Sequence, residues 1–226
     1  MENLLKKTLF LLLVMVGLNA TAQWDPGATQ SLGMGHGFNA LSQSVMSNTF
    51  NNADKGTSKA ENVDYIYFGF SNFRGFEEKI FNQLVANDKN VDKGKIRRFL
   101  SDSRTMHQFN IRSRDFGLKD TYISDILATG IAWNWEMYHQ TKASKQKVIN
   151  LRNAIRGNMA KGSVKTQIAK LSAADKTDWM MSFMYNNAML AQTIKNTGKL
   201  TATQKQQLAQ TAKQAGVENI ASVSLK

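Results

Sequence analysis

The stretch that decides the fold is TYISDILATGIAWNWEMYHQ, residues 121–140. Its large apolar side chains fall on more than one face of a helix, and a helix that is apolar all round is normally buried. Asp120 is placed to cap its start, and Gly130 indicates a close approach by a neighbouring helix. The sequence therefore predicts a central helix around which the other elements pack.

Amphipathic helices are predicted on both sides of this segment. Apolar residues recur at spacings of three and four, which is the period of a helix with one buried face. The expected fold class is all-α, a bundle of five or six helices. Besides 121–140, the helices are expected over about 73–85, from near 92 with a continuation or restart through 106–114, over 144–161, and after the start signals at Ser172 and Thr201.

Two helix starts and one extended segment have local signatures. Ser172 with Asp175, and Thr201 with Gln204, resemble capping boxes, in which the first side chain and the fourth satisfy each other's backbone amides. Residues 65–68, YIYF, are β-prone and aromatic. They predict either one short strand or an extended arm packed on the core.

The first 22 residues have the three parts of a cleavable secretory signal peptide. Lys6 and Lys7 supply positive charge, residues 9–16 are apolar without a break, and Ala-Thr-Ala precedes a predicted cleavage between Ala22 and Gln23. The apolar run is about half the length of a membrane span. No later segment is apolar enough to span a bilayer. The expected location is the periplasm or the exterior of the cell.

The chain is expected to divide into four parts. After the signal peptide (1–22), residues 23–62 are rich in Gly, Asn, Ser, Thr and Ala and predict a flexible, disordered arm. The spacing of Leu41, Val45 and Met46 allows one short helix within it, around Ala40 to Phe50. Residues 63–216 form the helical domain, and 217–226 form a C-terminal tail able to pack as a strand or an extension. The mature chain is long enough for one sizeable core.

Composition limits the chemistry and suggests the partner. The formal charge is +12, and removal of Glu2, Lys6 and Lys7 lowers it by one. The chain contains no cysteine, which excludes disulfides, thiolate metal sites, cysteine catalysis and a lipidated cysteine anchor. Positive charge favours an anionic partner. After export the candidates are an anionic envelope component or an acidic protein, and nucleic acid is disfavoured.

The densest arginine group is the candidate binding site. Arginine side chains bind carboxylates and phosphates through two parallel hydrogen bonds, so a cluster of them favours an anion-binding face. A solvated helix face is the alternative. The group consists of Arg97, Arg98, Arg104, Arg112 and Arg114.

Metal and cofactor motifs are incomplete. Glu136 and His139 give half of a ferritin-like site, but no second Glu-x-x-His exists. The loop from Asp88 to Asp92 alternates like a calcium loop, yet it lacks glycine at the sixth position and glutamate at the twelfth. The glycines at 33, 35 and 37 follow no predicted strand, and no Gly-x-Ser-x-Gly elbow occurs. We therefore predict no metal, no cofactor and no recognisable catalytic residue.

Two short segments and one aspartate give this chain a resemblance to a family of small secreted bacterial proteins, which is known only as a domain of unknown function. They are Phe116–Asp120, Asp125 and the Trp133–Trp135 stretch, and the resemblance covers about residues 64–216. It implies a secreted helical domain and assigns no activity to any residue.

The interpretation we favour is a non-enzymatic exported helical protein that binds an anionic envelope component or a partner protein through its basic surface. The alternative is a secreted hydrolase or antibacterial effector with an unrecognised Asp/Glu or Ser site. A membrane-active protein is a third interpretation, disfavoured because the broad apolar stripes are typical of a core.

Overall fold

The structure is a computed structural model that describes residues 36–51, 56–87 and 92–226. The predicted signal peptide with its cleavage between Ala22 and Gln23, the glycines at 33 and 35, and the loop positions Asp88 and Asn90 lie outside these ranges.

The described residues form an all-α bundle, which confirms the predicted fold class. A single 3-10 turn, Asn62–Asp64, precedes the main body of helices. The α-helices of the described ranges are α1 (His36–Met46), α2 (Phe70–Asn87), α3 (Lys93–Ser103), α4 (Thr105–Phe116), α5 (Ile123–His139), α6 (Lys145–Met159), α7 (Gly162–Lys170), α8 (Ala173–Thr197) and α9 (Ala202–Gln214).

The described residues form more helices than the five or six expected, because one predicted segment is divided and the short helices α1 and α7 add to the number. Arg104 adopts the left-handed conformation (φ 45°, ψ 48°), so α3 ends there and α4 restarts at the next residue. The residues between the predicted helix over 144–161 and the start signal at Ser172 form the short helix α7, which follows extended Lys161. The capping boxes of α8 and α9, at Ser172 and Thr201, are both present.

Helices α5 and α8 form the centre of the bundle, as residues 121–140 predict. Every residue from Ile123 to Met137 is buried, and α8 buries all of its residues from Trp179 to Leu190. α5 contacts α4, α6, α8 and α9. This placement explains why α5 carries apolar side chains on all its faces.

Gly130 lies where the two central helices approach each other closely. A Cβ atom at this position would overlap the aromatic ring of Phe183, which is fully buried on α8. The predicted close approach is therefore confirmed, and Phe183 is the residue that requires it.

Gly130→Ala is expected to lower the free energy of unfolding by about 2 kcal/mol. Forcing an extra methyl group into a packed core costs about 1–3 kcal/mol. The higher helix propensity of alanine relative to glycine offsets at most about 1 kcal/mol of this loss. Urea unfolding followed by circular dichroism measures the change.

Gly75→Ala is the matched control for this substitution. Gly75 also lies inside a helix, α2, but no atom lies within 4 Å of the point that a Cβ would occupy there. The free energy of unfolding of the control is expected to rise by up to about 1 kcal/mol. Equal effects at the two glycines would contradict the close approach at Gly130.

The described part of the predicted arm over 23–62 is packed against the bundle. Leu41, Val45 and Met46 of α1 are buried, because their helical spacing gives this segment one apolar face. This helix overlaps the short helix expected around Ala40 to Phe50, so these described residues are not part of a disordered segment. Of the two alternatives for residues 65–68, the structure has the extended arm, held by an isolated bridge between Tyr65 and Tyr122.

Residues 217–226 pack on the bundle as an extension without regular structure. Val217, Ile220 and Leu225 are buried. Trp135 on α5 donates its indole N–H to the Val223 carbonyl at 2.8 Å. The segment starts at Gly216, whose positive φ of 87° suits glycine, and a Cβ there would overlap the Ser42 carbonyl of α1.

Candidate anion-binding surface

Two of the five predicted arginines are already held by carboxylates of this chain. Arg97 on α3 makes two parallel hydrogen bonds to Glu78 on α2, at 2.9 and 3.0 Å. Arg112 on α4 donates to Glu136 on α5 at 3.0 Å. Their guanidinium groups stabilise helix contacts, so the predicted cluster does not act as one set of five open cations.

The other three arginines face solvent. Arg98 lies on the exposed side of α3, Arg104 at the junction of α3 and α4, and Arg114 in the last turn of α4. Within residues 36–51, 56–87 and 92–226, no carboxylate lies within ion-pair distance of these three side chains. They are the members of the cluster that remain able to bind an external anion.

Arg114 belongs to a shallow hollow beside the start of α5. The hollow has a volume of about 210 Å³ and also contains Asn110, Lys119 and Asp120 in its wall. Asn110 donates its side-chain N–H to the Asp120 carboxylate at 3.3 Å. Two cations and one carboxylate therefore surround an opening large enough for a phosphate-sized group.

The described interior contains a buried ionic cluster that no local pattern in the sequence predicts. It comprises Asp64, Ser124, Asp125, Arg152 and Arg156. Arg156 donates to Asp64 at 3.1 Å, to the Ser124 hydroxyl at 2.9 Å and to Asp125 at 2.7 Å. Arg152 reaches Asp125 from the solvent side at 3.3 Å.

The cluster joins three parts of the fold. Asp64 ends the 3-10 turn, Ser124 and Asp125 lie in the first turn of α5, and Arg156 comes from α6. Arg156 also donates to the Ser58 carbonyl at 2.6 Å. Buried charges are tolerated only when they are paired and hydrogen-bonded. The complete set of hydrogen bonds made by Arg156 therefore fits a structural role for the cluster.

Asp64 is enclosed within this cluster. Its side chain is 1% exposed, and it accepts hydrogen bonds from the Ser124 backbone N–H at 2.8 Å and hydroxyl at 2.7 Å. Burial raises the pKa of the Asp64 carboxyl, while the Ser124 hydrogen bonds and the charge of Arg156 oppose that shift. A substrate has no access to this carboxyl in the folded chain.

The Glu136–His139 pair does not converge on a common point. Glu136 accepts from Arg112 and from the Ala143 backbone N–H at 3.0 Å. The His139 Nε2 lies 3.1 Å from the Ile220 carbonyl, and the ring lies 4.7 Å from that of Trp135. Both side chains therefore serve contacts within the fold. Among the described residues, no three His, Asp or Glu side chains gather closely enough to hold a metal ion.

Comparisons with known proteins give no family for this chain. No protein-family model, curated protein or solved structure matches it. The resemblance to secreted helical proteins therefore stays a prediction. In the ranges that the structure describes, no helix has both the length and the apolar character needed to cross a membrane.

Proposed function

We propose that this chain is an exported, non-enzymatic binding protein that recognises an anionic component of the cell envelope through Arg98, Arg104 and Arg114. The observation that carries the proposal is the division of the arginine cluster. Arg97 and Arg112 are held by Glu78 and Glu136, whereas the other three are exposed without a carboxylate partner in the described chain.

The charge of the whole chain supports this proposal. With 29 Lys and Arg against 17 Asp and Glu, the protein attracts anions over a distance of about 10 Å at moderate salt. The three exposed arginines then offer guanidinium groups that can form paired hydrogen bonds with phosphate or carboxylate.

The buried ionic cluster does not provide the accessible site that the hydrolase alternative needs. A secreted hydrolase needs an accessible carboxylate or serine beside its substrate. Asp64, Ser124 and Asp125 have suitable chemistry, but all three are buried and hydrogen-bonded to the cluster. Their arrangement supports a structural role.

The test compares two triple variants of the mature chain. Arg98, Arg104 and Arg114 are replaced together by glutamate, and Lys170, Lys195 and Lys199, which are also exposed, are replaced by glutamate as the control. Both variants change the net charge equally. Binding is measured by co-sedimentation with phosphatidylglycerol vesicles and by retention on immobilised lipopolysaccharide and polyglutamate, at increasing salt.

The arginine variant is expected to bind at least one of these anions roughly tenfold more weakly than the wild-type chain. The lysine variant is expected to lose much less, and wild-type binding should weaken as salt rises. Equal losses in the two variants would show that net charge alone acts, and a wild-type chain that binds none of the probes would overturn the proposal.

A further inference from the structure

The exposed large apolar side chains of the described chain come from only two segments. Phe70 is 77% exposed, Tyr67 is 69% exposed and Tyr65 is 54% exposed, all at or just before the start of α2. Met106 and Ile111 are exposed on α4. Scattered single apolar residues need no explanation, whereas exposed apolar side chains that lie together mark an interaction surface.

A shared hollow shows that the two segments are neighbours. Tyr67 and Phe68 line a depression of about 200 Å³ together with Met106 of α4. Asp120 and Thr121 lie in its wall and also in the wall of the hollow that contains Arg114 and Lys119. The aromatic residues and the basic hollow therefore form one continuous surface.

This surface is held in place by the fold. The Ile66 backbone N–H donates to the Thr121 carbonyl at 3.0 Å, and the Ile66 side chain is buried. The Phe68 ring packs edge-on against Phe73, with 5.6 Å between ring centres. Because residues 66 and 68 are anchored, the alternation of an extended chain turns Tyr65 and Tyr67 outward.

Exposed cations accompany the apolar side chains at helical spacing. Arg74 follows Phe70 by four residues on α2, and Arg114 follows Ile111 by three on α4, so each pair shares a helix face. Arg104 precedes Met106 by two residues. The opposing charges near these cations include Asp102, Asp115, Asp120 and Glu78. Glu78 lies near Arg74 and is hydrogen-bonded to Arg97.

We infer that this aromatic and basic surface docks on the face of an anionic lipid bilayer. The inference deepens the proposed function, since it assigns the anionic component as lipid and adds Tyr67 and Phe70 to the arginines. Polyanionic polymers and acidic proteins would satisfy the cations but offer no apolar layer for a projecting phenylalanine. A bilayer interface provides phosphate groups directly above an apolar layer, where aromatic and basic side chains are both favoured.

The experiment separates the aromatic contribution from the charge. The chain carrying both Tyr67→Ser and Phe70→Ser is compared with the chain carrying Tyr67→Phe and Phe70→Leu, which keeps the apolar surface. Both are tested on phosphatidylglycerol vesicles, phosphatidylcholine vesicles and immobilised polyglutamate. Thermal unfolding checks that both variants remain folded, as expected for exposed positions.

The serine variant is expected to bind phosphatidylglycerol vesicles at least about tenfold more weakly than the wild-type chain, because each apolar side chain contributes about tenfold when it enters the interface. Its retention on polyglutamate should not change, and the Phe/Leu variant should bind vesicles like the wild-type chain. In a Phe70→Trp variant, fluorescence should shift to shorter wavelength with phosphatidylglycerol vesicles, beyond any shift of the wild-type chain.

Three outcomes decide between the two proposals. Undiminished vesicle binding by the serine variant would overturn lipid docking while leaving anion recognition standing. Wild-type binding to polyglutamate or lipopolysaccharide without binding to phosphatidylglycerol vesicles would do the same. Failure of the wild-type chain on every anionic probe would overturn both.

Discussion

Replacing Arg156 with methionine is expected to lower the free energy of unfolding by about 3–5 kcal/mol. The substitution keeps much of the side-chain volume but removes the cation that Asp64 and Asp125 share. Both carboxylates are almost fully buried, so water cannot replace the lost partner. Urea unfolding followed by circular dichroism measures the loss.

Arg152→Met is the matched control for this prediction. Arg152 lies on the same helix and contacts the same Asp125 carboxylate, but it is more exposed and makes one ion pair at 3.3 Å. Its removal is expected to lower the free energy of unfolding by clearly less than the Arg156 substitution does, because Asp125 keeps its shorter ion pair with Arg156 at 2.7 Å. Similar losses for the two variants would show that Arg156 has no special role in the cluster.

A second substitution tests the mechanism of the Arg156 effect. If the lost stability arises from an uncompensated buried charge, Asp64→Asn should lower the free energy of unfolding by less in the Arg156→Met chain than in the wild-type chain. Additive losses would indicate that Arg156 contributes through packing on the Tyr122 ring, 5.0 Å away, rather than through its charge.

Removing residues 217–226 is expected to lower the free energy of unfolding by about 5 kcal/mol or more. Val217, Ile220 and Leu225 are nearly inaccessible, and burial of each such side chain contributes about 1.5–3 kcal/mol. The truncation also removes the carbonyls that accept from the Trp135 indole and from the Ser144 backbone N–H. Such a loss is comparable to the whole stability of many domains.

Single substitutions make this second prediction measurable if the truncated chain does not fold. Leu225→Ala is expected to cost about 2–4 kcal/mol through lost burial and a residual cavity. Lys226→Ala, at the exposed neighbouring residue, should change the stability by less than about 0.5 kcal/mol. A Leu225→Ala chain as stable as the Lys226→Ala chain would contradict the packed position of this segment.

Most of the fold was predictable from the sequence where the signal was local, although the predicted cap at Asp120 is wrong. The N-cap of α5 is Tyr122, which makes no side-chain cap hydrogen bond. The apolar residues of 121–140 identify the central helix, Ser172 and Thr201 identify two helix starts, and Gly130 identifies a close approach. Each of these depends on residues within a few positions of one another, which is the range over which helix periodicity and capping act.

The candidate site was predictable only in part, because its contacts join distant parts of the chain. The sequence shows that five arginines lie close together along the chain. It contains no local pattern that predicts the pairing of Arg97 with Glu78 or the exposure of Arg98. Arg156 and Asp64 are 92 residues apart, and neither has a neighbour that marks it as buried. Among the aromatic residues, only the position in the fold distinguishes exposed Phe70 from buried Phe73.

The contact between α1 and the residues after α9 has a consequence for the order of folding. Gln43 donates to Glu218, 175 residues further along the chain, and Gly216 lies against the Ser42 carbonyl. Contacts of such long sequence separation form slowly, since a large loop must close before they contribute stability. During synthesis, nearly the whole polypeptide must therefore leave the ribosome before residues 217–226 can pack on α5. A chain with this order of assembly stays incompletely folded until its synthesis is nearly finished.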